Sequence, residues 1–99
     1  MLAQFSIIPI GTDESLSPFV AELIKIVEKS GLDYSLTAMG TIVEGEWDEV
    51  MDLIRYCRAK ALKMAGRILV NITIDERPAK PKNRIRGKVE AVERHLDRG

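Results

Sequence analysis

The sequence is poor in the residues that most often do chemistry. Among its 99 residues there is one cysteine, Cys57, and one histidine, His95. A lone cysteine forms no internal disulfide, which fits a reducing compartment. One Cys with one His does not make a zinc site. Aromatic residues are scarce as well, with two Phe, two Tyr and one Trp. Charge of one sign is also lacking, because fifteen basic and fifteen acidic side chains cancel. That balance offers no global attraction to nucleic acid or to an anionic membrane. No apolar run approaches the ~20 residues needed to span a bilayer. The first residues, Met1-Leu2-Ala3-Gln4-Phe5, lack the basic stretch of a signal peptide and read directly as a strand. A cytoplasmic protein without membrane contact is the expectation.

What is present is regular patterning. Leu2 to Ile10 alternates and is rich in Ile, which predicts a strand. Ser17-Pro18 reads as an N-cap followed by proline at the first helical position. Val20, Leu23, Ile24 and Val27 then form one apolar stripe, and Gly31 supplies a left-handed stop. Leu32 to Met39 and Thr41 to Glu44 read as two strands meeting at a tight turn near Met39-Gly40-Thr41. Trp47, Val50, Met51, Ile54, Cys57, Ala61 and Leu62 give a second helix, with Glu46, Asp48, Glu49 and Asp52 at the positive end of its dipole. Arg67 to Asp75 alternates as the last strand. Beyond Pro78 and Pro81, Ile85, Val89, Val92 and Leu96 mark a narrow seam on a third helix.

The order β-α-β-β-α-β plus a helix predicts an α+β, ferredoxin-like sandwich. We divide it into a ferredoxin-like domain over 1–77 and a proline-containing loop with an amphipathic helix over 78–99. Both main helices carry one apolar stripe, so both cover one sheet face. The other face should present Gln4, Ser6 and Ile8, then Ser35, Thr37, Met39 and Thr41, then Leu69, Asn71 and Thr73. Two readings stand for it: an ordinary half-solvated sheet, or a surface meeting another subunit or a small ligand. The shortage of Lys and Glu there favours the second.

Catalysis finds little support. Cys57 falls on or beside the apolar stripe of a helix and His95 in the charged tail, so neither sits in a nucleophile–base motif. Buried cysteine usually acts as a small hydrophobe. The stretch Arg77, Lys80, Lys82, Arg84, Arg86 and Lys88 is the best case for nucleic acid, but its charge is local. More often such a run is a solvated tail, and its alternative is a partner for the acidic cluster Glu44, Glu46, Asp48, Glu49 and Asp52 of a neighbouring subunit.

Four segments carry a resemblance: Phe5-Ser6-Ile7-Ile8-Pro9-Ile10-Gly11, Ser30-Gly31-Leu32-Asp33-Tyr34, Met39-Gly40-Thr41-Ile42-Val43-Glu44-Gly45, and Arg67-Ile68 leading to Ile74-Asp75-Glu76-Arg77. In order and spacing they resemble the small thiamine-binding family related to YkoF, and the third segment is the most specific. Ala38 departs from the pattern, since many relatives have proline there. The resemblance implies a ferredoxin-like domain assembled through its sheets into dimers or tetramers. It also implies a small-molecule ligand, thiamine or its hydroxymethylpyrimidine portion, and no further cofactor. Carried over by position, it points to Ser6, Thr37, Gly40, Thr41 and Glu44, and the open-face argument adds Asn71. An aminopyrimidine presents a donor–acceptor edge that hydroxyls, backbone groups and a carboxylate can read. Glu44 would pair with a ring nitrogen or with the thiazolium charge. Trp47 and Tyr34 are candidates for stacking, with core packing as the alternative role. The expectation is therefore a non-enzymatic, homo-oligomeric binding protein active in vitamin sensing or buffering. The rival readings are an assembly module whose open face serves only subunit contacts, and an enzyme acting on a small phosphorylated or heterocyclic metabolite.

Overall fold

The computed structural model describes residues 1–11, 16–78 and 84–97, without the side chains of Arg84 and Asp97. Its elements run β1 (Leu2–Pro9), α1 (Leu16–Ser30), β2 (Asp33–Thr37), β3 (Gly40–Glu44), α2 (Trp47–Met64), β4 (Ile68–Asp75) and α3 (Arg84–Asp97). The strands form one antiparallel sheet in the order β2-β3-β1-β4, which is the ferredoxin-like arrangement expected from the pattern.

Alternation decides which side chains meet the helices. Ala3, Phe5 and Ile7 of β1 are buried beneath α1 and α2, together with Val43 of β3. From α1 come Leu23 and Val27, and from α2 come Val50, Leu53, Ile54, Cys57 and Ala61. These positions recur every three or four residues, so each helix turns one stripe to the sheet. Gly31, with φ of 76°, takes the left-handed position that ends α1. The Ser30 hydroxyl donates to the Val27 carbonyl and accepts from the Leu32 N–H, tightening that exit. At the start of α2 the Glu46 N–H donates to the Glu49 carboxylate at 3.1 Å.

Several expectations change in detail. Helix α1 already includes Leu16, so Ser17 and Pro18 lie within its first turn instead of opening it. Proline is tolerated there because first-turn N–H groups have no intrahelical acceptor. Ile72 and Ile74 do face the helix side, opposite Phe5 and Ala3, yet both remain partly exposed. They belong to the edge strand, outside the helix layer. Trp47 is 52% exposed at the start of α2 and takes no place in the core. Tyr34 is also partly exposed, and its hydroxyl donates to the Glu28 carboxylate at 3.3 Å.

The largest difference concerns α3. It crosses one end of the face that α1 and α2 leave open. The Ile85 N–H donates to Glu44 Oε1 at 3.4 Å, and Lys88 Nζ lies 2.6 Å from Asp75 Oδ2. Glu44 and Asp75 both stand opposite Leu2, whose side chain shares their face and is buried. Of the α3 seam, only Ile85 is partly buried; Val89, Val92 and Leu96 remain exposed.

Candidate ligand-binding site

The strands flanking β1 differ in length, and this opens the site. β4 pairs with β1 from Leu2 to Pro9, whereas β3 pairs with it only from Leu2 to Phe5. The β2–β3 hairpin closes at Thr37↔Gly40, with Ala38 and Met39 as its two-residue loop. The Thr37 hydroxyl donates to the Gly40 carbonyl at 2.8 Å and accepts from the Met39 N–H at 3.2 Å. Met39 is thus held in the turn and is largely exposed. Gly40 lies so close to β1 that a Cβ there would stand 2.9 Å from the Phe5 carbonyl oxygen, and its φ is 152°. Only glycine meets both conditions without strain.

Beyond this turn a cavity of about 550 Å³ lies between the second half of β1, the hairpin and α1. Ser6, Thr37, Gly40, Thr41 and Asn71 all line it, so five expected site residues are brought together. They converge from both sheet faces. Ser6 and Asn71 are cross-strand partners on the open face. Thr41 stands opposite Phe5, and thus on the helix-covered face; it is the buried polar residue of the described core. The expectation that Thr41 joins the open face is corrected by this register. Gly40 starts β3, so Thr41 takes the inward parity shared with Val43.

Glu44 is not part of this group. It lies four residues along β3 from Gly40, roughly 13 Å for an extended strand. There it accepts the Ile85 N–H and lines a separate cavity of about 250 Å³ that also includes Asp33, Glu46 and Glu49. Trp47 and Tyr34 line neither cavity. Wall residues not named as site candidates from the sequence include Gln4, Ile7, Val20 and Ile24. A signal for them existed, since an eight-residue first strand cannot be matched along its whole length by a five-residue third one.

No residue of the described cavity wall carries an ionisable side chain. Cys57 lies elsewhere, fully buried, with its thiol 3.9 Å from the Leu23 carbonyl oxygen. Desolvation pushes its pKa up to about 11, so it stays a protonated core thiol at neutral pH. Among the described residues no group of three or more His, Cys, Asp or Glu is placed to hold a metal ion. No helix among them is long and apolar enough to cross a membrane.

Fold and cavity together define a ferredoxin-like domain with a ligand-sized opening beside its central strand. The family model described as thiamine-binding protein matches residues 3–93, and the chain belongs to that family. It is 34% identical over 92 residues to the UPF0045 protein MJ1052 of Methanocaldococcus jannaschii, covering 93% of this chain and 91% of that one. It is 38% identical over 101 residues to the UPF0045 protein YqgV of Bacillus subtilis, covering 96% of each. The crystal structure of the Methanocaldococcus protein superposes with a TM-score of 0.84, covering 93% of this chain and 94% of that one. A Thermotoga maritima structure, provisionally assigned to thiamine biosynthesis or salvage, superposes with a TM-score of 0.77 at 20% identity. It covers 90% of this chain and 96% of that one, and at this identity the likeness speaks for the fold.

Proposed function

We propose that this protein binds thiamine or its hydroxymethylpyrimidine portion without transforming it, as a homo-oligomer serving vitamin sensing or buffering in the cytoplasm. The observation that carries the reading is the convergence of Ser6, Thr37, Gly40, Thr41 and Asn71 on one cavity. Its volume is within the usual range for small-molecule sites, and its wall is mostly apolar with a few directed polar groups. Family membership supplies the ligand class, and the provisional role of the Thermotoga protein agrees with it. Binding is preferred to catalysis because the described lining offers no ionisable acid or base, and the Cys57 thiol is sequestered. Glu44, outside the cavity, is assigned to docking α3.

Oligomerisation is supported by apolar surface that the single chain leaves uncovered. Ile8 and Leu69 are neighbours on the open face, and Val89, Val92 and Leu96 line α3. A second copy is the occupant that this surface suits. Calorimetry with thiamine and with hydroxymethylpyrimidine tests the reading, on the wild type and on Asn71→Leu. Heat from at least one ligand, weakened in the variant, is expected. No heat from either at high protein concentration overturns it and leaves the assembly-module reading in its place.

A further inference from the structure

Hydrogen bonding along β1 alternates between its two neighbours. Met1 and Gly45 exchange both of their main-chain bonds, Met1 N donating to Gly45 O at 2.7 Å and Gly45 N to Met1 O at 3.1 Å. The same parity turns the N–H and carbonyl of Ala3, Phe5 and Ile7 towards β3. The even positions face β4, as the Ile10 N–H to the Arg67 carbonyl shows at 2.9 Å. The β3 ladder stops at Phe5↔Thr41, so the next register partner of Ile7 would be Met39. Met39 sits in the turn instead, and its N–H is given to the Thr37 hydroxyl. Among the described residues no strand continues the ladder, and Ile7 is one of the residues lining the 550 Å³ cavity.

We propose that the main-chain N–H and carbonyl of Ile7 are the recognition pair of this site, reading the aminopyrimidine edge of the ligand as a missing strand residue. This deepens the reading above and rests on it. One residue in an extended strand offers a donor and an acceptor side by side, pointing the same way. An aminopyrimidine offers the complement, an exocyclic N–H donor next to a ring-nitrogen acceptor. The edge holds one such pair and no more, because the next residue of that parity is Pro9, which has no N–H. An added peptide strand would need a continuing row of donors and is disfavoured there. A small planar ring needs only one pair. Val20 and Ile24 of α1 supply an apolar wall, and Ser6 and Asn71 a polar margin. The described lining is uncharged and suits the neutral pyrimidine, so the thiazolium of an intact thiamine is directed out of this part of the cavity. Thr37 is a positioning residue, keeping Met39 away from the edge that the ligand takes.

The test replaces the Ile7 peptide N–H by an ester oxygen, exchanging isoleucine for its α-hydroxy acid. The change removes no donor of the β4 ladder, since this N–H points the other way. It weakens the Ser6 carbonyl as an acceptor there, so binding is read at a temperature where the ester protein is shown to be folded. Affinity for hydroxymethylpyrimidine is expected to fall on the order of ten-fold, and the thiazole portion alone is expected not to bind. In the unmodified protein, the Ile7 amide proton is expected to shift downfield when the pyrimidine is added. Unchanged affinity of the ester protein, or an unmoved Ile7 amide while the wild type binds, overturns the assignment and leaves the proposed function standing. An absence of wild-type binding overturns both.

Discussion

The first half of β1 differs from the second in what lies along its β3 side. From Leu2 to Phe5 the strand has β3 on one edge and β4 on the other, and α3 crosses below Leu2. From Ser6 to Pro9 it keeps β4 but loses β3, and a cavity borders the free edge. The residues buried beneath α1 and α2 are of one kind in both halves: Ala3 and Phe5 in the first, Ile7 in the second. The difference lies in the partner strand, where a glycine and a threonine-bonded turn stop β3 early. A cavity can therefore arise in a small domain from a length mismatch between strands.

The largest expected effect sharpens the contrast between the covered and open faces. Phe5→Ala should cost about 3–5 kcal/mol in chemical denaturation, as large core truncations do. Ile8→Ala, on the open face, should stay within about 0.5 kcal/mol in a monomeric state. A comparable loss for both in the monomer would break the contrast. Next comes the point where the ladder stops. Gly40→Val places a side chain against the Phe5 carbonyl at an unfavourable φ, and should lose roughly 1–3 kcal/mol. It should also reduce ligand affinity, because the hairpin must shift at the mouth of the cavity.

Smaller effects are expected at the covered end. Glu44→Ala removes the acceptor of the Ile85 N–H and should raise hydrogen exchange in the first turn of α3. Global stability should change by about 1 kcal/mol or less, and ligand binding should be unaffected. Loss of binding there would return Glu44 to the site. The smallest effect is that of pH on Cys57. Its folded pKa, about 11, is above the unfolded value near 9. The thiol's contribution is therefore complete below pH ~9 and declines as pH rises towards about 11, because the unfolded chain loses its proton first. Cys57→Ala should remove that segment of the stability–pH curve. In the folded wild type, alkylation by iodoacetamide at pH 8 should be slow and limited by opening of the core.

Much of this architecture was legible in the sequence. Alternation in Leu2–Ile10 and Arg67–Asp75, and the stripes of α1 and α2, gave the element order and the covered face. Asn71 followed from the same parity, which also places Ser6 on the open face; Ser6 and Gly40 were named as site candidates by the family resemblance. Thr41 was misplaced because Gly40 looked like the turn itself, when it is the first residue of β3. A one-residue shift of register reverses every side chain. Glu44 lies at the far end of β3 from the cavity, against α3, and its spacing in the sequence does not reveal that contact. The Ile7 main chain could not be singled out from residue types, since a backbone pair has no sequence signature. Only the unequal lengths of the two strands hinted at it. The exposed seam of Val89, Val92 and Leu96 was visible as a seam, and in the structure it stays uncovered by the described residues.

The most direct test of the central claim is a ¹⁵N–¹H titration of the wild-type protein with hydroxymethylpyrimidine, read at every backbone amide. The account predicts the strongest saturable shifts at Ile7 and its cavity neighbours Ser6, Gly40 and Thr41, with little change at Leu2, Glu44 and Ile85. Shifts confined to the Leu2–Glu44–Ile85 end, or none at saturating ligand, would contradict it.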